Sequence, residues 1–287
     1  MVMLANEDVK TREVLEWEGV HLLHFAGSSC SQKVRIFLNL KGIPWESHPV
    51  DIPARENIGE WFMGINPRGL VPVLVHDGQV IIESNDILEH LEKAFPDPSL
   101  IPSEQEEAVH HLLKQEDDLH LALRSICMRY FFPGVKPRSP EWLETYAANG
   151  SGTVQGEPDP EREIQLAFHK AMAENDGISD GQISEAAGEY REAFESLESM
   201  LAQGDFLLGE SLSVLDIAWY IYVYRLKVSG YPLAELHPRL AHWFEHLDAR
   251  PEFSREIAEP PPLLEMRSSM HKHQFEEKTD LRSVAAL

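Results

Sequence analysis

The sequence predicts an α/β domain followed by an all-helical one. Three observations carry this prediction. Short apolar runs of strand length are confined to the first third of the chain and separated by turn residues; a proline-rich break follows at Pro96 to Pro102; beyond it only helix-period patterning remains.

In the first third, Val20 to Phe25 reads as a buried strand, and Val34, Ile36, Phe37, Leu38 and Leu40 as a helix apolar over a wide arc. Trp45 to Val50 suggests a second strand reached by a parallel crossover, and Glu56 to Ile65 a short helix. After the turn-rich segment Asn66-Pro67-Arg68-Gly69-Leu70-Val71-Pro72, the runs Val73 to Val75 and Val80 to Ile82 flank His76-Asp77-Gly78. An Asp-Gly pair between apolar runs predicts a hairpin. Ser84 to Phe95 closes the unit as a helix, giving the order β-α-β-α-β-β-α.

Beyond the linker, Glu104 to Phe132, Glu161 to Glu174, Ile183 to Leu201, Val214 to Val228 and His237 to Leu247 suit helices. Ser213-Val214-Leu215-Asp216 has capping-box spacing before a helix apolar enough to lie inside its domain. The resulting division is a lead over residues 1–18, an α/β domain over 19–96, a linker over 97–103, a helical domain over 104–255 and an arm over 256–287. Within the helical domain, residues 133–160 are rich in Pro, Gly and Ser and are either a mobile lid or a surface insertion, with a helical turn near Trp142 to Tyr146. The arm mixes charged and polar residues with few large apolar ones, so partial order is expected there.

Composition excludes several classes of function. At 287 residues and 43% apolar content the chain suffices for two ordinary cores, and a formal charge of −23 argues against nucleic acid or an anionic membrane as partner. No stretch approaches the roughly 20 apolar residues of a membrane helix, and Met1 to Trp17 lacks a signal-peptide core. With two cysteines, Cys30 and Cys127, a disulfide framework is not expected, and a reducing, cytoplasmic setting is. His110-His111 and His271-Lys272-His273 lack the partners and spacing of a structural zinc site, so no metal is expected.

The most informative stretch is Ser28-Ser29-Cys30-Ser31, between the first strand and the first helix. At a helix N-terminus the leading N–H groups lack intrahelical partners and the dipole is positive, so an oxyanion or thiolate is stabilised there. Cys30 reads either as a second thiol available for redox work or as a small packed residue of the first turn.

Taken in succession, Ser28 to Arg35, Asn66 to Pro72, Glu83-Ser84 and the Ser213 to Asp216 box resemble the glutathione transferase family, over most of residues 20 to 253. The resemblance implies a thioredoxin-like N-terminal domain plus an all-α C-terminal domain, with glutathione as co-substrate. It implies that Val71, before a cis Pro72, pairs through its backbone with the cysteinyl part of glutathione, and that Glu83 and Ser84 hold the γ-glutamyl group. Ser28 stands where thiol-active relatives carry a cysteine; its hydroxyl would donate to the glutathione sulfur, assisted by Ser29 or Cys30, and favour thiolate below the thiol pKa of about 8.5.

The string Ser28 to Ser31, continued by Val34-Arg35 and Lys41-Gly42-Ile43, is similar to the zeta class, which includes maleylacetoacetate isomerases. The chain also resembles bacterial β-etherase-type glutathione lyases. The implied function is thiolate attack on an electrophilic, aromatic substrate, by conjugation or by ether cleavage. The alternatives are zeta-like cis-trans isomerisation and a non-catalytic glutathione-binding scaffold. Arg124, Arg129, Tyr130, Phe131, Tyr220 and Tyr224 are the expected substrate-pocket residues, and a two-fold dimer is the expected assembly.

Overall fold

A computed structural model describes all 287 residues. In chain order the elements are β1 (Val2–Met3), β2 (Val20–His24), α1 (Ser29–Lys41), β3 (Glu46–Pro49), α2 (Glu60–Met63), β4 (Val73–His76), β5 (Gln79–Ile82) and α3 (Ser84–Ala94). Then come α4 (Glu106–Asp118), α5 (His120–Ile126), α6 (Pro140–Ala148), β6 (Thr153–Val154), β7 (Glu157–Pro158) and α7 (Pro160–Glu174). The chain continues with α8 (Asp180–Met200), α9 (Val214–Val228), α10 (Leu233–Leu236), α11 (Pro238–Asp248), α12 (Pro251–Ser254), α13 (Pro261–Glu276) and α14 (Leu281–Ala285). No helix is long and apolar enough to cross a membrane.

Two compact units result, residues 1–98 with 137–176, and residues 99–136 with 177–287. In the first unit a mixed sheet has the order β1-β5-β4-β2-β3. As expected, β3 pairs parallel with β2 after the α1 crossover, while β2–β4 and β4–β5 are antiparallel. Asp77 and Gly78 both take positive φ, the conformation that a two-residue hairpin needs. Alternation divides the sheet's side chains between its faces. Leu23, Val73, Val75, Val80 and Ile82 pack with Val9, Val14 and Phe62 on one face, while Leu22, Leu74 and Ile81 are fully buried on the other.

Several expectations are corrected. Residues 1–18 are no appended lead: Val2–Met3 pairs antiparallel with β5, and Leu4, Val9 and Val14 are core. The Glu56 to Ile65 helix divides at Gly59, whose extended backbone separates a 3₁₀ turn from α2.

The expected insertion over 133–160 is ordered from Pro140 and packs with the first unit, together with α7. The physical reason is apolar: Trp142 and Tyr146 of α6 bury themselves with Ile58 and Met63. Polar bonds add to this, with Asn149 Nδ2 donating to Ile58 O at 2.8 Å and Thr153 Oγ1 to Asp8 Oδ1 at 2.7 Å. The segment expected as a mobile lid or a surface insertion of the helical domain is thus, from residue 137, a strap bound to the first unit.

The second unit is helical, and the single helix expected over Glu104 to Phe132 is α4, α5 and a π turn at Cys127–Phe131. Helix α9 is buried from Val214 to Leu226, and its capping box is formed: Ser213 N–H donates to Asp216 Oδ2 at 2.8 Å. The Asp216 carboxylate also accepts from Leu207 N–H and Trp243 Nε1, each at 2.9 Å. The arm over 256–287, expected to be partly ordered, forms α13 and α14, anchored by the buried Arg267 pairing with Glu259 and by Leu281.

Candidate active site

Ser28 is extended, and its Oγ accepts from Ser31 N–H at 3.2 Å, so it is the N-cap of α1. Its own hydroxyl hydrogen faces Val71 O across a long 3.5 Å contact. A donor so weakly committed is available to a stronger acceptor. Ser29 and Cys30 follow on the first turn, both partly exposed, and Cys30 is not disulfide-bonded.

Arg35, one helical turn and a half further on, braces the loop before Ser28. Its guanidinium donates to Phe25 O at 3.3 Å, Ala26 O at 3.2 Å and His24 Nδ1 at 3.1 Å. Burial, then the Arg35 charge, then His48 push the His24 pKa down to about 4, so the ring is a neutral acceptor at pH 7.

The Val71–Pro72 peptide is cis, as the resemblance implies. Val71 is partly exposed just ahead of β4, and the loop leading to it is clamped. Asn66 Nδ2 donates to Leu70 O at 2.8 Å, Asn57 Nδ2 to Gly69 O at 2.8 Å and the Tyr146 hydroxyl to Arg68 O at 2.9 Å. Gly69 is required: its φ is +64, and a Cβ would meet Asn57 O at 3.1 Å and the Tyr146 ring at 3.2 Å.

Glu83 precedes α3, and the buried Ser84 is its first residue. With φ 67 and ψ 123, Glu83 holds a conformation costing a non-glycine residue on the order of 1–3 kcal/mol. Arg68 holds it there by an ion pair to Glu83 Oε1, while Nε and Nη2 of the same guanidinium each lie 2.8 Å from the Asp159 carboxylate. Burial works against the charge of Arg68, but the Asp159 hydrogen bond and the Glu83 and Asp159 charges prevail and raise its pKa. Beside this pair, Lys33 Nζ of α1 donates to Asn85 Oδ1 of α3 at 2.9 Å.

Thus Ser28, Val71 and Pro72 are adjacent, and Glu83 and Ser84 are linked to the same loop through Arg68. Sequence reasoning passed over Arg68, although it lies within a motif already singled out, and over Asp159 and Arg35. Nothing near Asp159 in the chain signals its partner.

The expected pocket residues fare differently. Tyr130, Phe131 and Tyr220 are at most 1% exposed, and Tyr224 is buried. Their hydroxyls are engaged within the second unit: Tyr130 donates to Thr279 O at 3.1 Å, Tyr220 to Asp248 Oδ1 at 2.7 Å and Tyr224 to Ile257 O at 3.2 Å. The Arg225 guanidinium sits 3.9 Å from the Phe131 ring centre. These four aromatics are core rather than lining, a correction with a plain cause, since the helices burying them need large apolar side chains at those positions. Arg129 is paired with Asp180 at 2.6 Å, and Arg124 is partly exposed on α5.

Comparison with known proteins adds kinship to this geometry. The family model for the glutathione S-transferase N-terminal domain matches residues 27–94, and that for the C-terminal domain matches residues 180–246. Glutathione S-transferase 1 of Dianthus caryophyllus is 42% identical over 89 residues, 31% of this chain and 40% of that one. Maleylpyruvate isomerase of a Ralstonia species is 41% identical over 83 residues, 29% of this chain and 39% of that one. The chain thus matches about two fifths of the length of these two relatives. Protein LigF of Sphingobium sp. strain SYK-6 is 29% identical over 239 residues, 80% of this chain and 90% of that one. The crystal structure of β-etherase LigF superposes with a TM-score of 0.69 at 28% identity, over 83% of this chain and 98% of that one.

Proposed function

We propose that this chain, which belongs to the glutathione S-transferase family, is a glutathione-dependent transferase or lyase that cleaves an aromatic β-aryl ether. The observation that carries the reading is the Ser28 hydroxyl at the head of α1 beside Val71 and cis Pro72. Glutathione pairs through its cysteinyl backbone with Val71, and its γ-glutamyl group meets Ser84 and Glu83, the carboxylate at the α3 N-terminus and the ammonium on Glu83. The sulfur then lies at Ser28.

Donation from Ser28 and the α1 dipole favour the thiolate. The thiolate attacks the ether-bearing carbon, a C–S bond forms, the C–O bond breaks with its electron pair leaving on the aryl oxygen, and the aryloxide takes a proton from solvent. The products are a phenol and a glutathione thioether. The length over which LigF is matched supports ether cleavage over simple conjugation. Such chemistry suits a reducing cytoplasm, where glutathione is a thiol, and a dimer as in the family.

Incubation with glutathione and a β-aryl ether bearing a fluorogenic aryloxide tests the reading. Equimolar phenol and thioether are expected. The match to a maleylpyruvate isomerase favours the second reading, cis-trans isomerisation, for which turnover of a cis-enedioate with no net glutathione loss is the signature. Glutathione binding without turnover of either substrate sinks both enzymatic readings in favour of a scaffold.

A further inference from the structure

A second cluster of ligating side chains lies away from Ser28, at the β3 edge of the sheet. Parallel pairing sets His21 of β2 opposite Glu46 of β3, and the two-residue strand repeat puts Glu46 and His48 on the same face. His21 Nδ1 is 3.1 Å from His48 Nε2 and 3.4 Å from Glu46 Oε2, and one ligand atom from each of the three residues lies within 4.8 Å of the others. A tetrahedral ion with nitrogen and oxygen ligands at about 2.0–2.1 Å keeps its ligand atoms about 3.3 Å apart. The two separations from His21 Nδ1, 3.1 and 3.4 Å, match that edge length, and the third closes within 4.8 Å.

We propose that His21, Glu46 and His48 form a binding site for one divalent transition ion of the Zn²⁺ class, with solvent completing the tetrahedron.

The orientation of His21 favours this over a plain imidazole pair. Its Nε2 lies 2.9 Å from Glu18 O, which only accepts, so Nε2 carries a hydrogen, and in the neutral ring the lone pair is left on Nδ1, the atom that faces His48 and Glu46. A ligating histidine whose other nitrogen donates to a carbonyl is the usual supporting arrangement of a bound metal. His48 needs only the tautomer with its hydrogen on Nδ1. Trp17 stacks on His48 at 4.5 Å between ring centres and fixes its plane. Bound there, the ion would tie the edge strand to β2.

A second pair, His76 and His90, supplies the contrast. Their nitrogens meet at 2.9 Å, but Asp77 approaches the opposite nitrogen of His76, at 3.7 Å, so three ligand atoms do not converge.

Calorimetric titration of the chelator-treated full chain with Zn²⁺, in thiol-free buffer, tests the site. One equivalent bound in the micromolar range is expected, weakened about tenfold or more in His48→Ala and in Glu46→Gln, and unchanged in His76→Ala. The Glu46 side chain is 71% exposed, so its substitution leaves folding intact and keeps the test valid if His48→Ala unfolds. Absence of micromolar binding by the unmodified chain overturns the proposal, as does undiminished binding in Glu46→Gln.

Discussion

Arg68 and Asp159, 91 positions apart, form a buried bidentate ion pair with both contacts at 2.8 Å. Asp159 is also the N-cap of α7, and the remaining guanidinium nitrogen of Arg68 holds Glu83 at the head of α3. A carboxylate from outside the α/β sequence stretch therefore sets the position of a carboxylate assigned here to glutathione.

Asp159→Asn follows from that relationship. Removing one partner of a buried pair costs about 3–5 kcal/mol, and because Arg68 keeps Glu83 the lower end is expected in urea denaturation. With Arg68 turned wholly toward Glu83, the KM for glutathione should rise roughly tenfold while kcat at saturation changes little. The comparison ligand is glutathione lacking its α-amino group. Wild type should prefer glutathione and Asp159→Asn should lose the preference; retention of it in the variant refutes the positioning of Glu83 through Arg68, whereas no preference in wild type refutes the role of Glu83 itself.

Ser28→Ala separates capping from chemistry. Loss of the α1 cap should cost about 1 kcal/mol of stability. Loss of the donor to sulfur should cut turnover by about 10²–10³ and move the pH–rate profile upward, toward the thiol pKa of about 8.5, with glutathione affinity preserved. Unchanged turnover would remove Ser28 from the reaction.

Stability should fall as the medium is acidified from pH 6.5 to 4. His24 takes a proton in the unfolded chain near pH 6.5 but in the folded chain only near 4, so the unfolded state binds more protons in between. His48, His90 and His237, each lowered chiefly by burial, act in the same direction. Melting temperatures of wild type and His24→Gln between pH 7.5 and 4.5 check this: the variant keeps an acceptor for Arg35 without the titration, and its decline should be shallower. Parallel slopes would refute the assignment to His24.

Asp216→Ala should destabilise the second unit by about 3 kcal/mol or more. It strands four donors, the Leu207 and Ser213 N–H groups, the Ser213 hydroxyl and Trp243 Nε1, in a buried setting. Burial raises the Asp216 pKa, and the hydrogen bonds from Leu207, Trp243 and Ser213 act against it. Equilibrium denaturation followed by tryptophan fluorescence measures the loss; a change under about 1 kcal/mol would show that water replaces the carboxylate.

Much of the site was legible where function is local. A helix N-terminus, a two-residue hairpin turn, a capping box and the turn from Asn66 to Leu70 each rest on contacts between residues a few positions apart, so their residue types announce them, whereas the clamps on Gly69 and Arg68 come from Asn57 and Tyr146. The aromatics were not: Tyr220 on a buried helix has the same pattern whether its hydroxyl meets a ligand or, as here, Asp248. Trp142 and Tyr146 likewise announced a helical turn but not its destination.

Residue types and their spacing alone settle the strand and helix order from Val20 to Ala94, the main helices beyond the linker, the helix N-terminus at Ser28 and the turn from Asn66 to Leu70, because backbone sterics and short-range hydrogen bonding decide them. Only the tertiary structure decided that the Pro140 to Glu174 segment belongs to the first unit, that Arg68 joins Asp159 to Glu83, and that His21, Glu46 and His48 converge. Apolar burial is non-directional and favours any complementary surface, so the partner of Trp142 is settled when Ile58 and Met63 are in place. Sheet pairing and a buried ion pair act between residues that the chain itself holds far apart.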